Sequence, residues 1–201
     1  MLERRSALAA HPLMQIDKGV TPPSAGTLAA MLSERVPLAI LQVSAFAQTI
    51  AEAGVILGGA LDLPLPAPNH YSGFIKKRVR AVGPGIWQIV GHEFGVPPVA
   101  ALRAALAGVA TVVDLSHART ALHVSGLAAA RTLAKHCGLD LDPIRFPTGT
   151  ATNTRFGHIG MTLARIDDAP TFELLVFRGY AEFVFDALVV SGEEFGLLVL
   201  T

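Results

Sequence analysis

Two extended runs, "KKRVRAVG" (76–83) and "GIWQIVGHE" (85–93), are joined at Gly83, Pro84 and Gly85, and a helix-forming stretch, "PPVAALRAALAG", follows at once. β-Branched and aromatic residues flanking a Gly/Pro turn specify a hairpin. Prolines at the head of the next stretch suit a helix start, where a missing N–H costs least. The pattern recurs as "TVVDLSHA", "TALHVSG" and then "LAAARTLAKHCG", which is stopped by Gly138. Upstream, "PLAILQVSAF" reads as a buried strand and "AQTIAEAGVILGGAL" as a helix. Downstream come strands at "TATNTRFG", "HIGMTLARI" and "TFELLVFR", then a helix at "YAEFVFDALVVSGEEFG". Strand pairs alternating with single helices confine the chain to an α+β fold, with antiparallel sheets and helices on one face in ferredoxin-like units. A short helix is expected at "TLAAMLSER" and a Pro-rich loop at "DLPLPAPNHYSG". A weak echo relates 76–107 to 111–137. Residues 1–26 mix charge with Pro22, Pro23 and Gly26 without periodicity and read as an arm ordered only against something else. Residues 27–201 then form one α+β domain, divisible into lobes at 27–110 and 111–201.

Such sheets leave surface to cover, and the composition supplies little charge to cover it. Charged residues are 16% of the 201 positions and apolar ones 51%, against a usual charged share of about 25%. The deficit points either to high internal burial or to area covered by other chains, and the second reading is set slightly ahead because obligate interfaces are more apolar than free surface. Sixteen basic and sixteen acidic residues cancel, so no long-range field favours nucleic acid or an anionic membrane. The longest uncharged apolar run in the middle, Ala104 to Val113, falls well short of the roughly 20 residues that span a bilayer. The run after Arg4 and Arg5 is broken by His11 and Pro12 and is too short for a secretory signal. A lone cysteine, Cys137, excludes an internal disulfide and multi-cysteine metal sites. A soluble, cytoplasmic protein is expected.

The densest chemistry is "VVDLSHARTALHVSG", which places Asp114, Ser116 and His117 within four residues. Side chains alternate along a strand, so Asp114 and Ser116 face one way and His117 the other. A nucleophile needs its base within hydrogen-bond reach and usually sits on a strained turn such as G-x-S-x-G, so these residues read as polar groups at a strand end. The seven histidines form no H-E-x-x-H or other ligand spacing, and no glycine run matches a dinucleotide or phosphate cradle. Cys137 reads as a structural thiol. Lys76, Lys77, Arg78 and Arg80 form the one basic cluster, read as a solvated strand face or a rim contact to an acidic partner. Arg119, Arg145, Arg155 and Arg178 sit at strand starts or loops. Because arginine is enriched at interfaces, all four are interface candidates, with Arg178 beside Tyr180 the foremost.

The segments "LSERVPLAILQVSAF", "LPLPAPN", "VGPGIWQIVG", "VVDLSHARTALHVSGLAAARTLAKHCGLDLDP", "FPTGTATNTRFGHIGMTLARI" and "FELLVFRGYAEFVFDAL" occur in the order found in the gamma subunit of heterotetrameric sarcosine oxidase, which the chain resembles from about Met31 to Gly196. Asp114 to Gly126 is also similar to the "D-V-S-H … V-x-G" strand pair of the glycine-cleavage aminomethyltransferase and related folate-binding domains, which implies their fold. The resemblance implies a complex that demethylates sarcosine to glycine, passing the one-carbon unit to tetrahydrofolate and electrons through FAD and FMN to oxygen. It places FAD, FMN, NAD, tetrahydrofolate and zinc on other subunits and gives this chain alpha, beta and delta partners with no catalytic, cofactor-binding or metal-binding residue of its own. The lone chain is then expected to be inactive. A second reading is a free-standing folate-binding or one-carbon transfer protein, or the equivalent subunit of a related amine-oxidising flavoenzyme.

Overall fold

The computed structural model describes residues 6–12, 29–35, 38–74, 76–92 and 94–200. Its first strand, β1 (Ala30–Arg35), occupies the segment expected to be a helix. Ala, Leu and Met favour helix by only a few tenths of a kcal/mol per residue, and here the segment finds hydrogen-bonding strands on both sides. It runs parallel to β11 (Leu197–Leu200) and antiparallel to β7 (Arg119–Ser125). The α+β class with antiparallel sheets is as expected, and β1–β11 is a parallel exception.

The chain divides into two compact units, Pro37–His117 and the flanking pieces Met1–Val36 with Ala118–Thr201. The second boundary thus falls seven residues beyond the 110/111 division read from sequence, and the described residues before Pro37 belong with the C-terminal half. In the middle unit come β2 (Leu38–Ala45), α1 (Ile50–Leu61), β3 (Tyr71–Phe74), β4 (Lys77–Gly83), β5 (Ile86–His92), α2 (Val99–Ala105) and β6 (Ala110–Asp114), with sheet order β3-β4-β5-β2-β6. The flanking unit adds, after β7, α3 (Ala129–Ala134), β8 (Ala151–Phe156), β9 (Ile159–Asp167), β10 (Thr171–Phe177) and α4 (Ala181–Gly192), with sheet order β11-β1-β7-β10-β9-β8. From β2 to β6 and again from β7 to β11 the chain therefore runs β-α-β-β-β-α-β. Within each sheet the order is the second, third, fourth, first and fifth strand of its run. The one topological difference is that β1 is inserted between the first and fifth strands of the later run. This is the ferredoxin-like arrangement with an extra edge strand, made twice. Strand β3 ends the segment expected to be loop, and β11 follows the helix that was read through to Gly196; both are four-residue strands, too short to show a period.

In the middle unit, alternation puts Leu41, Val43, Val79, Trp87 and Ile89 on one face, packed with Leu57 and Leu61 of α1 and Leu102 of α2. The opposite face carries Arg78 and Arg80, whose exposures are 1% and 0%. These two arginines correct the expectation of a solvated basic face. They lie on an interior strand between β3 and β5, and Arg78 stands over the Tyr71 ring at 5.7 Å. Lys77, read into the same cluster, donates to the Leu61 carbonyl at the C-terminus of α1, where a cation complements the helix dipole.

In the flanking unit Leu32, Leu122, Val124, Phe172 and Leu174 form the sheet side of a core closed by Leu133, Val184, Phe185 and Leu188. The opposite face holds Glu173, fully buried, which accepts from Arg35 and from His123 Nε2, each at 2.7 Å. Gly126, at φ +100°, turns β7 toward α3 where an added Cβ would stand 2.6 Å from the Ala29 carbonyl. That approach explains the glycine of the "HVSG" motif: the turn lies flush against the chain entering β1.

Residues 6–12 depart from the expectation of an arm ordered only against another chain. Leu8 is buried in the flanking core, and the Glu34 carboxylate accepts from the Ser6 hydroxyl, Ala7 N (2.8 Å), Leu8 N (3.3 Å) and Thr120 Oγ1 (2.5 Å). His11 Nε2 lies 2.8 Å from Asp186 of α4. Residues 1–5 and 13–26 of that arm lie outside the described residues. Leu8→Ala is expected to lower stability by about 2–5 kcal/mol, read as a lower denaturant midpoint; an unchanged midpoint would show that this segment does not contribute to the core.

Candidate docking surface

Strand β6 ends at Asp114, and its carboxylate folds the chain beyond it. Asp114 Oδ1 accepts from Ser116 N at 2.9 Å and from Ser116 Oγ at 2.5 Å, while Ser116 Oγ accepts from the Ile40 amide at 3.0 Å. Ser116 is buried, and its hydroxyl is committed to the edge where β6 meets β2; His117 is exposed. This is an Asx-type turn: the three residues sit at a strand end as expected, but Ser116 and His117 lie beyond the strand, where alternation does not apply.

The sequence-selected arginines fall into two groups. Arg145 and Arg155 are exposed. Arg119 and Arg178 are half-buried within the chain, and Arg178 NH2 donates to the Ser6 carbonyl at 2.8 Å. Arg119 places its guanidinium 4.3 Å from the centroid of the Phe177 ring, and burial pushes its pKa below the ordinary value. Tyr180 is exposed at the entry to α4. The structure thus brings Arg119, Phe177, Arg178 and Tyr180 to one end of β7, β10 and α4, and leaves Arg145 and Arg155 apart from them in the chain. Cys137 is buried in the flanking core, 3.9 Å from Thr154 Oγ1. Among the described residues, no three His, Cys, Asp or Glu side chains come together as a metal site.

An apolar cleft of about 290 Å³ opens beside Tyr180, lined also by His136, Phe156, Gly157, His158, Ile159 and Phe183. The β8–β9 turn supplies one wall, and the start of α4 supplies the other. His136 is stacked on Phe156 with centroids 4.4 Å apart, and its Nε2 is 2.6 Å from Ser191 Oγ on α4. The Gly157 amide donates to the His136 carbonyl at 2.8 Å, so the wall is held from three directions. Helix α4 buries Ala181, Val184, Phe185 and Leu188 against the sheet, yet Phe183 and Val190, seven residues apart on its outer side, are 62% and 66% exposed. Sequence reasoning did not single these two out. The signal was present, because a helix with one buried stripe should be polar on its other side, and "YAEFVFDALVVSG" has apolar residues on both.

The sarcosine oxidase gamma subunit family model matches residues 44–193, about three quarters of the chain. The chain belongs to the sarcosine oxidase gamma subunit family. A chain of the heterotetrameric sarcosine oxidase from Corynebacterium sp. U-96, solved in complex with pyrrole 2-carboxylate, superposes with a TM-score of 0.82 at 26% identity, covering 96% of this chain and 97% of that one. The aminomethyltransferase T of the glycine cleavage system from Bartonella henselae superposes with a TM-score of 0.64 at 17% identity, over 86% of this chain and 48% of that one. This second likeness shows a shared fold, as the Asp114–Gly126 resemblance implied, and the gamma-family chain spans about half of the transferase's length. No curated protein sequence matches the chain.

Ser116→Ala removes the acceptor of the buried Ile40 amide and is expected to cost about 1–3 kcal/mol. His117→Ala is expected to stay within about 0.5 kcal/mol of the parent. Denaturant melts of the two variants check the ranking, and the reverse order would contradict the turn described.

Proposed function

We propose that this chain is the non-catalytic gamma subunit of a sarcosine oxidase complex and acts by docking. The observation that carries the reading is the superposition, over nearly the whole of both chains, with a chain of a heterotetrameric sarcosine oxidase. The docking role draws on surface chemistry. Exposed Phe183, Val190 and Tyr180 gain by leaving water, and the apolar cleft lined by Tyr180 and Phe183 can receive a side chain from another subunit. The complex would comprise alpha, beta and delta partners and reside in the cytoplasm. No helix among the described residues is long and apolar enough to cross a membrane.

In this reading FAD, FMN, NAD, tetrahydrofolate and zinc belong to the other subunits, which oxidise sarcosine to glycine and pass the one-carbon unit on. The chemistry of the cleft favours an apolar occupant over a folate. A pterin is held through its ring amide and amino group, and the lining of His136, Phe156, Gly157, His158, Ile159, Tyr180 and Phe183 holds no carboxylate or amide side chain to pair with them. Its His136 is already engaged with Ser191.

Purification through a tag on this chain tests the reading. Expressed alone, the chain is expected to be colourless, inactive with sarcosine, and prone to self-association through its apolar surface. Co-expressed with the other three subunits, it is expected to bring down a yellow, sarcosine-oxidising complex. A lone chain that binds folate tightly and fails to retain flavin-bearing partners would favour the free-standing one-carbon protein instead.

A further inference from the structure

Arg119 opens β7 on the face of its sheet opposite α3 and α4, directly across from Phe177 of β10. Its guanidinium lies over that ring, and its buried Nε–H has no acceptor. Three other buried or half-buried arginines of the flanking unit meet oxygens within the chain. Arg35 donates to Glu173, Arg165 to the Phe146 carbonyl at 3.2 Å with Asp168 at 3.7 Å, and Arg178 to Ser6. Arg119 is instead a half-buried cation whose environment only lowers its pKa, through desolvation. Guanidinium stays charged at any physiological pH, so the enclosed Nε–H is a standing penalty, and the outer N–H groups of the half-buried fork are the ones that face an incoming acceptor.

The geometry points to Arg119, lying over Phe177, as a preset receptor for an Asp or Glu side chain of another subunit; this rests on the gamma-subunit reading. Contact with the ring restricts the guanidinium's freedom, and its fork matches a carboxylate with two parallel hydrogen bonds. Exposed Phe177 and Tyr180, on either side of half-buried Arg178 and exposed Gly179, supply aromatic cover near the pair, the setting in which interface arginines contribute most. A free carboxylate would meet one guanidinium and little enclosure, whereas a subunit brings its own cover. Arg178, foremost by sequence position, is already engaged with Ser6.

The test uses the assembled complex together with the lone chain. Arg119→Met is expected to weaken association with the remaining subunits about tenfold or more, and Arg119→Lys, which keeps charge without the fork, to weaken it by less. The lone Arg119→Met chain is expected to melt at or above the parent temperature, since a half-buried charge without an acceptor has been removed. Phenylglyoxal labelling of the unaltered protein, read by peptide mass, is expected to modify Arg119 in the lone chain and to be suppressed in the complex. Parent-like association of Arg119→Met, or equal labelling in both states, would overturn the inference while leaving the gamma-subunit reading intact. Protection of the lone chain by added acetate to the level seen in the complex would mark a free-carboxylate site and overturn it too. Failure of the unaltered chain to associate at all would overturn both readings, so the two failures are distinguishable.

Discussion

Strand β1 is hydrogen-bonded on both edges, and the flanking unit depends on it. In the middle unit the first and fifth strands of the run, β2 and β6, pair directly. In the flanking unit the corresponding β7 and β11 do not, and β1 joins them by pairing with each. Without β1, two strands would present unpaired backbone groups inside a packed layer, which is costly for every N–H and C=O concerned. Its side chains extend the effect on both faces. Leu32 enters the core, Glu34 anchors the backbone of Ala7 and Leu8 together with Thr120, and Arg35 neutralises the buried Glu173. An N-terminal segment remote in sequence thereby completes a C-terminal sheet.

The surface chemistry follows from the same framework. Because α3 and α4 cover one face of the flanking sheet, α4 has an outer side, and that side carries Phe183 and Val190 where charge would be usual. The His136–Phe156 stack and the His136–Ser191 hydrogen bond tie the adjoining cleft to α4.

The hairpin at Gly83–Gly85 was legible because a turn and two β-rich runs coincide there, whereas the Asp114–Ser116 turn was not, since strand alternation stops at Asp114 and a side-chain hydrogen bond shapes the chain beyond it. Strand β1 was not legible. Ala, Leu and Met at 29–32 suit a helix in isolation, and only partners more than 80 residues away in sequence, at Ala121 and Leu197, make them a strand. Burial of Arg78 and Arg80 was equally hidden, since charge in sequence signals solvent until the strand order places β4 in the interior of its sheet. For the site, the arginine list included Arg119 but ranked Arg178 ahead of it. Ranking them requires knowing which guanidinium already has an acceptor, and that is a property of three-dimensional neighbours such as Ser6, not of spacing.

The account centres on a chain that works by assembly. Native mass spectrometry of the complex formed on co-expression with the three other subunits tests this most directly. The account requires one copy of this chain in an assembly with three different partners, retaining flavin mass. A monomer, or an oligomer of this chain alone, would contradict it.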